Sequence, residues 1–518
     1  MSTGLPEPLT APRVAAHVSD IQAILDSGFA PLRYCTYSLL RVADAARACA
    51  WLGRVLQAGM VRSVADLGKT GDTTSGIRKH VEAATLAFSY QGLRALGIAP
   101  CDDYPFPSPF ASGMADPYRA PSARDEPDDD WAWGDVSIAG KAQAEVHVLL
   151  AHFRQDPGSV SSGLLCRAEL DGGGFEVIRC VDGCPSYLQS FMEQGQQTVA
   201  MREPFGFRDG IAQPMIRGLR PTPADLAARR AVGKRYDDRV VAPGEFILGH
   251  ENEYGELAYC PNVRGWPAQK NADGSVSSFG FNGSYLAVQQ IVQHVERFRD
   301  FERQHPSTDD SPSLAERMVG RRKSGAPLVQ CPSAPADADA FRYRVADFDG
   351  FQCPRGAHVR RANPRDMLGW DVESGIAASK LHRLLRRGRV YAAGTKSCER
   401  AGAPACGDAS HMPHEGGASQ CAEGLFFMAL NADLDRQFAF VQERWLGNRR
   451  FADLSGDDDV IAGVTKSRVF SEQGLPIGTR TEGIEQFTTV VGGGYFFVPG
   501  LAALAFIASF HRAPDAVA

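Results

Sequence analysis

The sequence predicts an α+β protein made of two ferredoxin-like units. Each would be an antiparallel sheet with helices packed on one face, the two joined in a dimeric α+β barrel-like arrangement. Three observations carry that expectation. Apolar runs of strand length alternate with runs of helical period. The alternation restarts after a stretch rich in Pro, Gly and charge over 216–283. In each half a strand runs into a Gly-Leu-x-Ala-Leu helix, at 92–96 and again at 500–504.

Taken in order, residues 35–42 (CTYSLLRV) read as a strand and 43–56 as an Ala-rich helix with Leu52, Val55 and Leu56 toward a core. A second strand over 83–90 leads into a short helix closed by Gly97. Residues 100–136 are loop-like, with the acidic run 125–130 read as solvated and Trp131 and Trp133 as its anchors. A third strand covers 145–153. The second half repeats the pattern, with a strand at 284–291, a helix at 295–303 and a strand at 424–431. A helix over 433–446 follows, whose Leu434, Phe438, Val441 and Trp445 fall on one face. The last strand is 487–498. The domains expected are 1–215 and 216–518, the second with an inserted loop near 394–421.

Composition narrows the function. The 518 residues are 44% hydrophobic and 22% charged, ordinary for a globular chain. A net charge of −6 argues against a nucleic-acid-binding protein, whose footprint is basic. No charged n-region leads into an apolar h-region at the N-terminus. No apolar run reaches the ~18 residues of a membrane span. Twelve cysteines are scattered rather than arranged as a disulfide framework. A cytoplasmic protein acting on neither nucleic acid nor membrane is expected, with a homo-oligomer allowed.

Three segments concentrate chemistry. In 356–365, His358 is followed by Arg360, Arg361 and Arg365. A neutral imidazole ligates metals, and guanidiniums pair with anionic oxygens. One ligand combining a metal with fixed carboxylates is haem. In 203–214, Gly206 and Gly210 bracket Asp209, the mark of a turn where backbone approaches something closely. In 384–389, Arg386, Arg387 and Gly388 read either as functional cations or as a cationic helix end.

The ordered set resembles the dye-decolorising peroxidases. It comprises Gly206-x-x-Asp209-Gly210, then His358 with Arg360-Arg361-x-Asn363-Pro364-Arg365, then Arg386-Arg387-Gly388. The likeness continues through Gly424-Leu425-Phe426-Phe427, through 433–445 and through the GGGYFFVP of 492–499. Asp20-Ile21-Gln22 and the GEFILGHENEYG of 244–255 are similar to the longer, intracellular bacterial branch. The resemblance implies one haem b per chain and hydrogen peroxide as oxidant. Bulky dye-like or phenolic reductants would be oxidised by one-electron steps. It implies His358 as proximal iron ligand, Asp209 as distal acid–base and Arg386 as distal arginine, with Arg387 open as an alternative. Arg365 would pair with a haem propionate, and Leu425 and Phe427 would line the distal face.

A carboxylate is needed to shuttle the peroxide proton, and a permanent cation to steady the charge on the departing oxygen. With an ordinary aspartate pKa of about 3.9, activity would be best in acid. Asp433 is the expected carboxylate behind the ligand imidazole, since such a partner strengthens donation to a metal. Trp370, Trp445, Trp266 and Tyr391 are available as electron relays, against the commoner role of core packing. Cys398, Cys406, His411, His414 and Cys421 could make a zinc site, though at no standard spacing. The competing readings are a haem-handling protein with incidental peroxidase activity and a zinc hydrolase built on the 398–421 loop.

Overall fold

The structure is a computed structural model. It describes residues 14–67, 82–114, 131–134, 145–156, 163–193, 196–219, 238–267, 269–270, 276–307, 311–329, 339–392, 423–463 and 468–511. The acidic run 125–130 and the Cys/His loop 394–421 lie outside these residues.

Eight strands form the frame: β1 (Tyr34–Val42), β2 (Glu82–Phe88), β3 (Val148–Arg154), β4 (Phe175–Gly183), β5 (Ser284–Gln293), β6 (Arg389–Ala392), β7 (Glu423–Asn431) and β8 (Thr488–Val498). The first four hydrogen-bond in the order β4-β1-β3-β2 and the last four in the order β8-β5-β7-β6. Every pair is antiparallel. Both orders are the ferredoxin-like arrangement in which the first and third strands lie at the centre. The two sheets meet at narrow seams, Phe88 with Phe497 and Gly183 with Tyr391, which close the ring into a barrel.

Alternation along each strand assigns its two faces. Tyr37, Leu39, Leu149, Ala151, Leu286, Val288, Phe426, Met428, Phe496 and Val498 point into the barrel, where Tyr37 stacks on Phe426 with ring centroids 4.1 Å apart. Leu86, Phe88, Leu150, Ala287 and Phe497 point outward beneath helices. Both faces are therefore buried, which is why the strands read as nearly continuous apolar runs. Helix α1 (Ala45–Gln57) starts where the Asp44 side chain accepts the amide of Arg47 at 3.0 Å, and it buries Trp51, Leu52 and Val55. A short α2 (Arg167–Gly172) precedes β4. In the second half come α3 (Val295–Gln304), α4 (His358–Ala362) and α5 (Leu501–Ser509), with α5 packed against α1 over one seam.

Three features depart from the expectation. The segment 384–389, read as functional cations or a cationic helix end, runs into β6 (Arg389–Ala392), a strand that was not anticipated and that pairs with β7. The strand β4 was not anticipated, although its burial alternates along Phe175, Val177, Val181 and Gly183. Charged residues between those positions dilute the apolar signal. The helix expected over 433–446 exists but is wound as wide π turns, Asp435–Ala439 and Val441–Leu446. Ala439 bonds back to Leu434 and Gly447 back to Gln442, five residues each time. Leu434, Phe438, Val441 and Trp445 are all buried, as the spacing requires.

Candidate functional site

On the outer face of the second sheet, the space under the helices is not filled. A cavity of about 750 Å³ opens there between strands β5, β7 and β8 and the segments carrying α4 and the π turns. Leu425 and Phe427 reach it from β7, Ile291 from β5 and Val490 from β8. Phe438, Val441 and Leu446 of the π turns face it from the other side.

His358 is the first residue of α4, and it lines the cavity. That five-residue helix cannot stand alone, since short helices are marginal in water, and two buried arginines pin it. Arg360 pairs with Asp347 at 3.0 Å and bonds the carbonyls of Cys353, Asp347 and Phe348. Arg361 bonds the carbonyls of Trp445, Asn448 and Asp457. Two of the three arginines in this motif thus hold α4; the third, Arg365, is bonded to Asp339 and the Phe341 carbonyl but lines the cavity.

The imidazole is oriented by Asp459, not by Asp433. Nδ1 of His358 lies 2.9 Å from Oδ2 of Asp459, a fully buried carboxylate whose Oδ1 accepts the amides of Ile461 and Ala462. Asp433 instead accepts the amide of Arg436 at 3.0 Å and sits beside that arginine's guanidinium. It precedes the π segment and does not line the cavity. Burial opposes charge on both His358 and Asp459, yet each outweighs it for the other. The His358 imidazole is held above its usual 6.5 and the Asp459 carboxyl below its usual 3.8, with Arg361 adding to the latter. Sequence reading missed Asp459 because Asp457, Asp458 and Asp459 look like a solvated acidic run. All three are buried: Asp457 bonds Ser471, and Asp458 pairs with Arg449.

Asp209 and Arg386 come together although 177 residues separate them. Nη2 of Arg386 lies 3.2 Å from Oδ1 of Asp209, and both side chains are about one-third exposed, toward the cavity they line. The turn that presents Asp209 has positive φ at Gly206 (+95°), Gly210 (+84°) and Ala212 (+62°). The two glycines adopt this without the Cβ penalty. Asp209 Oδ1 also accepts the amide of Gly210 at 2.6 Å, so Oδ2 is the oxygen left for other work. Arg387 turns away: its guanidinium bonds the carbonyls of Ile24, Leu25 and Arg386, and burial pushes its pKa down to about 10.

Arg365 lines the cavity as well, at a positive φ of 56°. It is clasped by Asp339, which also pairs with Arg321 at 3.2 Å, and it stacks over the Phe341 ring at 3.8 Å. Arg321 and Arg383 line the same region, giving one wall a strong positive character. Asp339 was not anticipated; nothing in its local sequence marks it. Of the aromatic relay candidates, Trp445 and Tyr391 are buried and Trp266 packs on Phe279 and Phe506. Trp370 is 89% exposed.

As a donor set, the cavity offers an imidazole backed by a carboxylate, an apolar wall, a cationic wall and a carboxylate–guanidinium pair. That combination fits a flat, mostly apolar, metal-bearing group with anionic edge substituents, which is the description of haem. Among the described residues no cluster of three or more His, Cys, Asp or Glu could hold a separate metal ion. No described helix is long and apolar enough to cross a membrane.

Comparison with known proteins gives a consistent set of relatives. No family model matches the chain. A dye-decolorizing peroxidase from Exidia glandulosa is 27% identical over 449 residues, spanning 82% of this chain and 75% of the relative. A multifunctional dye peroxidase from Amycolatopsis sp. is 31% identical over 239 residues, 43% of this chain and 48% of the relative. Among solved structures, a decolorizing peroxidase from Auricularia auricula-judae superposes with a TM-score of 0.66 at 24% identity, covering 95% of this chain and 99% of that one. An ancestral D-type dye decolorizing peroxidase gives 0.67 at 21%, covering 94% and 98%. The fold is that of these enzymes.

Proposed function

We infer that this chain is a haem peroxidase of the dye-decolorising family, reducing hydrogen peroxide and oxidising bulky organic substrates by one-electron steps. One observation carries the reading: His358, backed by Asp459, and the Asp209–Arg386 pair line a single cavity. The relatives agree with it, over more than four-fifths of the chain for the Exidia protein. The bacterial branch expected from the sequence gains no support from them, since fungal and actinobacterial proteins both match.

Haem b, when bound, supplies the redox-active iron at which peroxide is reduced. His358 would hold that iron through Nε2, because Nδ1 is committed to Asp459. The carboxylate fixes the tautomer and makes the imidazole a stronger donor. Arg365 and the neighbouring Arg321 would meet the propionates, at the expense of part of their present bonding to Asp339. Leu425 and Phe427 line the cavity with apolar surface, and beside a bound haem they would keep water from the peroxide, which strengthens charge interactions there.

Peroxide must lose a proton from one oxygen and receive one on the other before its O–O bond breaks. Asp209 performs that transfer at Oδ2. The Arg386 guanidinium steadies the negative charge on the oxygen that departs. Arg387 is spent on backbone carbonyls, so Arg386 is our choice as distal arginine. Overall, hydrogen peroxide takes two electrons and two protons to give two waters, and two substrate molecules each supply one electron. A haem-handling protein would need His358 and the arginines but no Asp209–Arg386 pair, and the pair is present.

Domains of 1–215 and 216–518 remain our division of the chain. A reducing, cytoplasmic setting is proposed from the cysteines, eight of which are free thiols among the described residues. The test of function is peroxide-dependent oxidation of a phenol and of an anthraquinone dye by the haem-loaded protein. Turnover of both is expected. Haem uptake without turnover would overturn the peroxidase reading.

A further inference from the structure

Glu203 opens the segment that ends at Asp209, and the steps above leave it without a role. Its carboxylate lies in the cavity wall, where it accepts the amides of Phe205 at 2.9 Å and Phe207 at 2.7 Å. It also accepts Nε2 of Gln293, on β5, at 2.6 Å. The first two bonds close the loop 203–207 on itself, and the third fastens that loop to the sheet. The Phe205 ring stacks on Phe298 of α3 at 4.1 Å and anchors the same loop from behind. Two residues beyond Phe207, the chain delivers Asp209, whose amide bonds the carbonyl of Met201 at 2.8 Å.

A second observation concerns Gln293. Its side chain lines the cavity and is 5% exposed, and its Oε1 has no hydrogen-bond partner although its Nε2 is bonded. A buried acceptor left unpaired is costly. A carboxylate facing a carboxamide can accept one bond from it and give nothing back. A carboxylic acid can also donate its O–H to the amide oxygen, which satisfies the orphaned atom. Burial, with Asp209 nearby, pushes the Glu203 carboxyl up to about 7, against the opposite pull of Gln293 and the two amides.

The other charged groups around Glu203 are otherwise engaged. Arg202 bonds the carbonyls of Gly206 and Lys323. Lys323 pairs with Glu302, and Arg321 with Asp339. His294, next along the chain from Gln293, contacts Thr489. Arg208 lies on the same loop and lines the cavity.

We propose that Glu203 is a positioning residue for Asp209, and that the Glu203–Gln293 pair takes up and releases a proton in the cavity wall. The ionised form accepts stronger, charge-assisted bonds from Phe205 and Phe207 and so tightens the segment that carries Asp209. The positioning role rests on the peroxidase reading; the proton-holding pair does not.

Two measurements test it on wild type and Glu203→Gln. In an infrared pH titration of the protein as purified, wild type should show a protonated-carboxyl band that disappears through about pH 7, and the variant should lack it. In the haem-loaded protein, kcat/KM for hydrogen peroxide should change severalfold across the same interval, while Glu203→Gln stays flat there. Absence of the wild-type band, or the same pH profile in both proteins, would overturn the proposal. Should Glu203→Gln fail to fold, Gln293→Leu is read instead: the band must move away from about pH 7, and an unmoved band counts against the pair. A titrating band with no peroxide turnover would sustain the pair and remove the positioning role along with the peroxidase reading.

Discussion

The ring nitrogen Nδ1 of His358 and the carboxylate oxygen Oδ2 of Asp459 lie 2.9 Å apart across 101 residues of sequence. Asp459 is itself fixed by two backbone amides, so it is a rigid acceptor that sets which nitrogen of His358 faces the cavity. Replacing Asp459 by Asn keeps the shape and removes the charge. Partners of this kind are worth about 10- to 100-fold in metal affinity or activity. Asp459→Asn should therefore weaken haem retention or peroxide turnover by about that factor, measured by haem titration and steady-state rates. Asp433→Asn should change neither, because Asp433 precedes the π segment, sits beside Arg436 and does not line the cavity.

The Asp209–Arg386 pair makes a separate prediction. Acid–base groups of this type contribute about 10²- to 10⁴-fold. Asp209→Asn should lower kcat/KM for peroxide by about that range while the haem spectrum stays that of the loaded wild type. Both side chains are about one-third exposed and their ion pair is solvent-screened, so melting temperatures should barely move.

Arg386 and Arg387 are adjacent but should fail differently. Arg386→Leu should lose peroxide turnover and keep its stability. Arg387→Leu leaves the carbonyls of Ile24 and Leu25 without their buried donor, at a cost of about 1–3 kcal/mol for each unsatisfied group. It should melt several degrees lower yet retain activity per bound haem. A drop in activity for Arg387→Leu alone, at unchanged stability, would reverse the assignment.

Gly492 tests the barrel. A Cβ there would lie 2.5 Å from the indole Nε1 of Trp133, a fully buried ring whose N–H donates to Gln290 at 2.8 Å. Gly492→Ala forces that indole or the strand to shift, and overpacking of this sort costs about 1–3 kcal/mol. Thermal melting of the variant checks it.

The sequence made some of this legible and hid the rest for physical reasons. The two-fold strand–helix rhythm was visible because both faces of each sheet are covered, so the strands are long apolar runs. Strand β4 was missed because Glu176, Arg179 and Asp182 break up its apolar positions. His358, Asp209, Arg386, Leu425 and Phe427 could be singled out from motifs of glycine, arginine and aromatic residues, and the chain brings all five to one cavity. Arg360 and Arg361 look like ligand-binding cations in sequence, yet they hold α4 in place. Asp459 was hidden because an isolated sequence cannot tell a buried acidic run from a solvated one; only the arginine and histidine partners do. Asp339, Glu203 and Gln293 carry no local signature, since their roles depend on groups far along the chain.

The most direct measurement is the absorption spectrum of haem-loaded protein before and after one equivalent of hydrogen peroxide, for wild type and His358→Ala. Iron ligation by His358 requires a Soret band in wild type that shifts on adding peroxide and is lost or strongly altered in His358→Ala. An unchanged, peroxide-responsive Soret band in His358→Ala would contradict it, because the iron would then be held by a residue other than the one Asp459 orients.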